Sequence, residues 1–171
     1  NKRGSNAWET RRDFGVTEAE TAAAKAALAV RGGADAIGFD LRSTANLDMA
    51  GMKQLVSAID NSKVSLHLIT GDDGPGLLDQ LIQYLEERGS AKISGSLCFD
   101  PMGQLAVTGA FFRTEAEDFS QLDKVLLTAE NELDGFRVLP VSSYLFGNAG
   151  ATAVQELAFG LAMAAEYFDR L

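Results

Sequence analysis

Short apolar segments alternate with helical ones along most of this chain, and this alternation limits the folds available to it more than any other feature. The apolar segments are the length of buried strands and cover residues 34–41, 63–70, 91–100 and 138–146. Amphipathic helical patterns lie before, between and after them. Strands that alternate with helices are parallel and are joined by crossovers. The sequence therefore predicts an α/β fold of four βα units, either a small doubly wound sheet or half of a (β/α)₈ barrel.

The junction after the last predicted strand has clear local signals. Residues 147–150 supply a tight turn, and Thr152 with Gln155 forms a T-x-x-Q capping box that begins a helix. A second capping box, Thr17-x-x-Glu20, is predicted to begin the first helix. Apolar residues of the last helix recur at i, i+3, i+4 and i+7, which predicts one stripe packed against the sheet. That stripe consists of Val154, Leu157, Ala158, Leu161, Ala165 and Phe168.

Length and charge exclude several classes of protein. The 171 residues suit one domain, so residues 1–171 are predicted to form a single unit, and 46% hydrophobic residues are typical of a globular core. The net charge of -9 opposes binding to nucleic acid or to an anionic membrane. No apolar run approaches the roughly 20 residues of a membrane span, and no signal peptide is evident, so we expect a cytoplasmic protein. Because the chain does not begin with Met, we expect a fragment of a longer one.

Cysteine and histidine each occur once. Cys98 cannot form an intramolecular disulfide, and a single histidine disfavours a zinc site. His67 lies in the middle of a predicted strand and shares a face with Ser65 and Ile69. It could act as a general acid or base facing a barrel interior, but a hydrogen-bonded structural histidine is the commoner case. Cys98 has no neighbouring cation in the sequence to lower its pKa, so we expect an inert thiol.

Both candidate architectures place ligand chemistry after the carboxyl ends of the strands. The segments there are Asp40 with Arg42, residues 70–73, residues 98–102 and residues 144–148. The two acidic residues of GDDGPG could hold magnesium, but a solvated turn uses such residues more often. Neither GDDGPG nor GGADAIG is a phosphate-binding fingerprint, and Arg113 and Arg137 are expected on the surface. The residues alone reveal no catalytic constellation and indicate a soluble α/β domain.

A longer motif carries a family resemblance. The stretch YLFGNAGATAVQELAFGLAMAAEYFDRL is similar to the methylmalonyl-CoA mutase family, whose members carry a G-Y-H-x-x-x-A-G-A-T-A-x-x-E type of motif at the end of a barrel strand. Tyr144 and residues 149–153 match it. The N-terminal segment, with Trp8 and Arg11, resembles the W-x-x-R-Q segment, helix and first strand of the family. The segments KVSLHLIT and SGSLCFDPMG correspond to its second and third strands, so the resemblance covers nearly the whole chain.

The resemblance implies half of a (β/α)₈ barrel and a place in the isomerisation of methylmalonyl-CoA to succinyl-CoA, for which adenosylcobalamin is the radical source. In catalytic members the acyl-CoA threads the barrel, and a histidine after the motif tyrosine contacts the thioester carbonyl. Leu145 occupies that position here and cannot donate a hydrogen bond. Cys98 stands where those members have a glutamine. The D-x-H-x-x-G motif of their cobalamin-binding domain is absent from these residues.

These differences imply the small, noncatalytic subunit of a heterodimeric mutase, with a catalytic large subunit as its partner and adenosylcobalamin not bound by this chain. The residues that could still contact an acyl-CoA are Ser65, His67, Cys98, Tyr144 and Asn148. Two alternatives stay open: a competent acyl-CoA mutase chain that uses His67 for the carbonyl, and a free-standing flavodoxin-like binding module. Because a half barrel has two unpaired edges, we expect it to pair with another copy of itself or to belong to a longer chain.

Overall fold

The structure is a computed structural model that describes residues 8–44, 47–60, 63–89 and 92–171. Within these ranges one parallel sheet is accompanied by helices. The strands are β1 (Arg11–Gly15), β2 (Ala36–Asp40), β3 (Ser65–Ile69) and β4 (Gly95–Cys98). The helices are α1 (Ala19–Arg31), α2 (Met49–Ser57), α3 (Gly74–Glu87), α4 (Pro101–Thr108), α5 (Glu115–Glu132), α6 (Tyr144–Asn148) and α7 (Ala153–Arg170).

The order of the strands decides between the two predicted architectures. All four strands are parallel, and each pairs with the next one in the chain, so the order is β1-β2-β3-β4. A doubly wound sheet reverses its strand order part-way across, and this sheet does not. The helices follow the same sequence, since α1 packs against α2, α2 against α3 and α3 against α5. The arrangement is that of half a (β/α)₈ barrel, as the resemblance implied.

β1 is a strand that the apolar pattern does not predict. Its sequence, RRDFG, is mostly charged and exposed because the strand lies at the edge of the sheet. Arg11 and Asp13 pair in register with Ala36 and Gly38 of β2. They therefore lie on the face of the sheet opposite to the buried Ile37. A search for apolar runs cannot detect a strand of this kind.

The prediction of a strand at residues 138–146 is wrong. Among the described residues, pairing on the side of β4 away from β3 is limited to a parallel bridge between Ser96 and Arg137, in which the Leu97 N–H donates to the Arg137 carbonyl at 2.8 Å. Beyond this bridge Pro140 has no N–H to donate to a ladder, and residues 144–148 form α6 instead of extended chain. The four βα units therefore begin at β1, one unit earlier than predicted.

The other three predicted strands are confirmed as β2, β3 and β4, although β4 is shorter than the predicted segment 91–100. Residue 91 lies outside the described residues. The stretch after β4, which has both apolar residues and glycines, forms α4, and the Asp100 side chain caps this helix by accepting a hydrogen bond from the Gly103 N–H at 2.8 Å. The prediction is thus correct for three of the four strands of the described sheet, β2, β3 and β4.

The core lies between the sheet and its layer of helices. Ile37, Phe39, Leu66, Leu68 and Leu97 alternate along β2, β3 and β4 on one face, and each is 0% exposed. Burying a large apolar side chain contributes about 1.5–3 kcal/mol. This outer face of the sheet, together with the helices on it, therefore supplies most of the stabilisation.

Only one of the two predicted capping boxes forms. The Thr152 side chain accepts from the Gln155 N–H, and the Gln155 side chain accepts from the Thr152 N–H at 2.9 Å, which confirms the box that begins α7. The box predicted at Thr17 and Glu20 is wrong. The first helix is preceded by Glu18, which makes no side-chain capping hydrogen bond.

The prediction that the apolar stripe of α7 packs against the sheet is also wrong. Its large members are exposed: Val154, Leu157, Leu161 and Phe168. The buried residues of α7 are Gly160, Met163 and Tyr167. Gly160 allows close approach to α6, because a Cβ at this position would lie 2.7 Å from the Ser143 Cβ. No helix among the described residues, α7 included, combines the length and the apolar character needed to cross a bilayer.

The start of β4 provides a stability test of the sheet. Gly95 has φ +139°, and a Cβ there would lie 1.6 Å from the Leu66 carbonyl oxygen. We expect Gly95→Ala to lower the free energy of unfolding by about 3 kcal/mol or more, since both the clash and the strained backbone oppose it.

Urea unfolding followed by circular dichroism measures this loss. Gly76→Ala in α3 is the control, because nothing lies within 4 Å of the added methyl group, and it should leave the stability unchanged or raise it by up to about 1 kcal/mol, since Ala is the better helix former. Equal stability of Gly95→Ala and the unchanged chain would show that the pairing of β3 with β4 is incorrect.

Candidate functional site

A small cavity of about 90 Å³ lies at the carboxyl ends of the strands. Its lining residues come from the loops after β2, β3 and β4, and from α6 and the segment before it. Residues of all four strand-end segments predicted from the sequence therefore meet here. Arg42, Thr70, Cys98, Asp100 and Tyr144 all line the cavity. Parallel strands end at one edge of the sheet, which is why residues distant in sequence come together.

Arg42 is held by the carboxylate at the end of β2. Its Nε donates to Asp40 Oδ1 at 2.9 Å and its Nη2 donates to Asp40 Oδ2 at 2.7 Å. The hydrogen bond from Arg42 holds the pKa of Asp40 below its ordinary value. The guanidinium that lines the cavity is therefore already bound to Asp40 by two hydrogen bonds. A ligand anion would have to compete with Asp40 for it.

Asp100 fastens the last helix to the end of β4. Its Oδ1 accepts from the Gly103 N–H at 2.8 Å and from the Tyr167 hydroxyl at 2.6 Å. The Tyr167 oxygen in turn accepts from the Met102 N–H at 3.0 Å. Burial, and then the nearby carboxylate, raises the pKa of Tyr167. This network explains why Tyr167, rather than the apolar stripe of α7, faces the rest of the molecule.

The remaining lining of the cavity is poor in groups that transfer protons. Leu145 and Tyr144 enter from α6, with Val107 of α4 on the same wall. The Thr70 hydroxyl donates to the Cys98 carbonyl at 3.0 Å and is thereby used locally. Burial raises the pKa of the Cys98 thiol, which keeps it protonated and weakly nucleophilic at neutral pH. The cavity can enclose a small group but offers it little acid or base chemistry.

A polar row crosses the face of the sheet that points away from the helices. Register places Asp13, Gly38, His67 and Ser96 side by side on adjacent strands. His67 Nδ1 lies 2.8 Å from Ser96 Oγ. Gly38 leaves room for the charged side chain of β1, because a Cβ there would lie 1.9 Å from Asp13 Oδ1. This face would be the interior of a closed barrel, and here it is polar.

His67 is a hydrogen-bonded histidine within this row, as the commoner of the two sequence interpretations has it. Burial, with a smaller contribution from the Arg11 charge, lowers its pKa to about 4. The ring is therefore neutral at pH 7. Such a histidine is a poor general acid, and its Nδ1 is already engaged with Ser96.

The other residues named from the sequence lie at different places. Ser65 is on the same face of β3 as His67, and its hydroxyl lies 3.1 Å from that of Ser94. Asn148 is exposed at the end of α6 and is not among the residues that line the cavity. Burial raises the pKa of Asp73 in the GDDGPG loop. In the described part of the chain, no three His, Cys, Asp or Glu side chains come together in a way that could hold a metal ion.

Two members of the polar row, Asp13 and Ser96, and the neighbouring Arg11 were not predicted as site residues from the sequence. Arg11 and Asp13 belong to the strand that the sequence analysis did not predict, and they form an ion pair with 2.6 Å between Nε and Oδ1. Ser96 was overlooked although the sequence SGSLC alternates small polar residues with other types. Small polar residues at every second position, in a strand next to the predicted strand that contains His67, are the signal that could have identified this row.

Comparison with known proteins gives a consistent result. The sequence profile described as methylmalonyl-CoA mutase matches residues 45–171. A methylmalonyl-CoA mutase small subunit from Porphyromonas gingivalis is 30% identical over 172 residues, which cover 97% of this chain and 27% of that protein. A methylmalonyl-CoA mutase small subunit from Streptomyces virginiae is 27% identical over 130 residues, which cover 75% of this chain and 20% of that protein. The chain thus spans about a quarter of the length of these curated relatives.

The position of His67 predicts a specific pH dependence. As the pH falls, the unfolded chain takes up a proton near the ordinary value of 6.5, whereas the folded chain does so only near 4. The free energy of unfolding should therefore fall between pH 6.5 and pH 4, by about 1–2 kcal/mol after allowing for partial solvation.

His67 is the single histidine of the chain, so its ring resonances can be followed by NMR without ambiguity. We expect a titration midpoint near pH 4. His67→Gln should lose this part of the pH dependence of unfolding, while the titration of carboxylates remains common to both proteins. A midpoint near 6.5, with equal pH dependence in both, would contradict the buried neutral histidine.

Proposed function

Because this chain belongs to the methylmalonyl-CoA mutase family, we propose that it is part of a small, noncatalytic subunit of the mutase. The reaction of the parent complex is the adenosylcobalamin-dependent isomerisation of methylmalonyl-CoA to succinyl-CoA, a step of propionate metabolism. The chain contributes scaffold rather than reacting groups. We place the complex in the cytoplasm.

The observation that carries this proposal is Leu145 in the wall of the cavity. The family resemblance assigns this position to a histidine that contacts the thioester carbonyl. An isobutyl side chain has neither a donor nor an acceptor, so it cannot polarise a carbonyl or move a proton. Residue 145 still lines the cavity, but its side chain no longer supplies the chemistry of the histidine.

Two further features of the cavity support the same role. Cys98 lies at the end of β4, where the resemblance places a glutamine, and its protonated thiol is a much weaker hydrogen-bonding group than an amide. A volume of about 90 Å³ is also well below the roughly 300–1,000 Å³ of typical ligand pockets. An acyl-CoA would need space that these residues occupy.

The residues described do not fit adenosylcobalamin. A cobalamin-binding histidine must present a ring nitrogen at an open surface, whereas His67 is 8% exposed and lies in the middle of β3. The cavity at the strand ends is too small for a corrin ring. We therefore assign the cofactor to the catalytic large subunit, which is the partner proposed for this chain.

The two alternatives have less support. A competent mutase chain would need His67 to reach a thioester, but this histidine lies in the middle of β3 and is neutral and hydrogen-bonded. A flavodoxin-like module would need a doubly wound sheet, and the strand order is sequential. The noncatalytic subunit accounts for both observations.

The proposal is tested by association and turnover measured together. Size-exclusion chromatography with light scattering is applied to this chain alone and to its mixture with the catalytic large subunit of the same cell. Each fraction is then assayed with adenosylcobalamin and methylmalonyl-CoA. We expect co-elution, and turnover only in the fractions that contain the large subunit.

Leu145→His provides a matched variant. It should still give no turnover by itself, because Cys98 has no amide and Arg42 remains paired with Asp40. Turnover by the unchanged chain alone would contradict the noncatalytic role, and elution apart from the large subunit would contradict the partner.

A further inference from the structure

We draw no further inference here: the strongest candidate, the exposed apolar face of α7 formed by Val154, Leu157, Leu161 and Phe168, carries none because nothing in the structure shows what covers it.

Discussion

The pairing of each strand with the next one in the chain is the constraint on which this structure depends. Crossovers between parallel strands are almost always right-handed, so sequential pairing puts the connecting helices α1, α2 and α3 on the same face of the sheet. That face becomes the core, with Ile37, Phe39 and Leu66 completely buried. The other face carries the polar row around His67. Among the described residues, β1 and β4 are the outermost strands of the sheet, and the pairing beyond β4 is a bridge at Arg137.

Under the proposed function, this division of the sheet explains how a family scaffold could persist while its chemistry changes. The outer face carries the stabilising apolar contacts, while the loops at the carboxyl ends of the strands carry the site residues. Leu145 and Cys98 line the cavity at the strand ends, so they can be substituted without leaving a void in the core. Asp100 shows the reverse case, because it lines the cavity and also binds Tyr167, which fastens α7. A residue with both roles is constrained by stability as well as by function.

The sequence predicts the parts of the fold whose signals are local. β2, β3 and β4 follow from apolar runs, and the start of α7 follows from Thr152 and Gln155. β1 does not, because an edge strand with charged residues on its open face has no apolar pattern. Residues 138–146 have the pattern of a buried strand, but pairing there stops at the bridge of Arg137.

The candidate site divides in the same way. The strand-end rule identifies Arg42, Thr70, Cys98 and Tyr144 as neighbours, and the structure brings them to one cavity. The pairing of Arg42 with Asp40, and the alignment of His67 with Ser96, depend on side-chain geometry and register that a sequence pattern does not contain. The apolar face of α7 is a related case. Its period is visible in the sequence, but the anchor that turns this face outward is the hydrogen bond between Tyr167 and Asp100.

Under the proposed function, this chain keeps the scaffold of an acyl-CoA enzyme without its binding site. Calorimetric titration of methylmalonyl-CoA into the chain, with the catalytic large subunit as a positive control, tests it most directly. We expect no saturable heat from this chain up to millimolar ligand, because the cavity is small and Arg42 is already paired with Asp40. Saturable binding at micromolar concentration would contradict the account and would show that the cavity opens to admit the thioester.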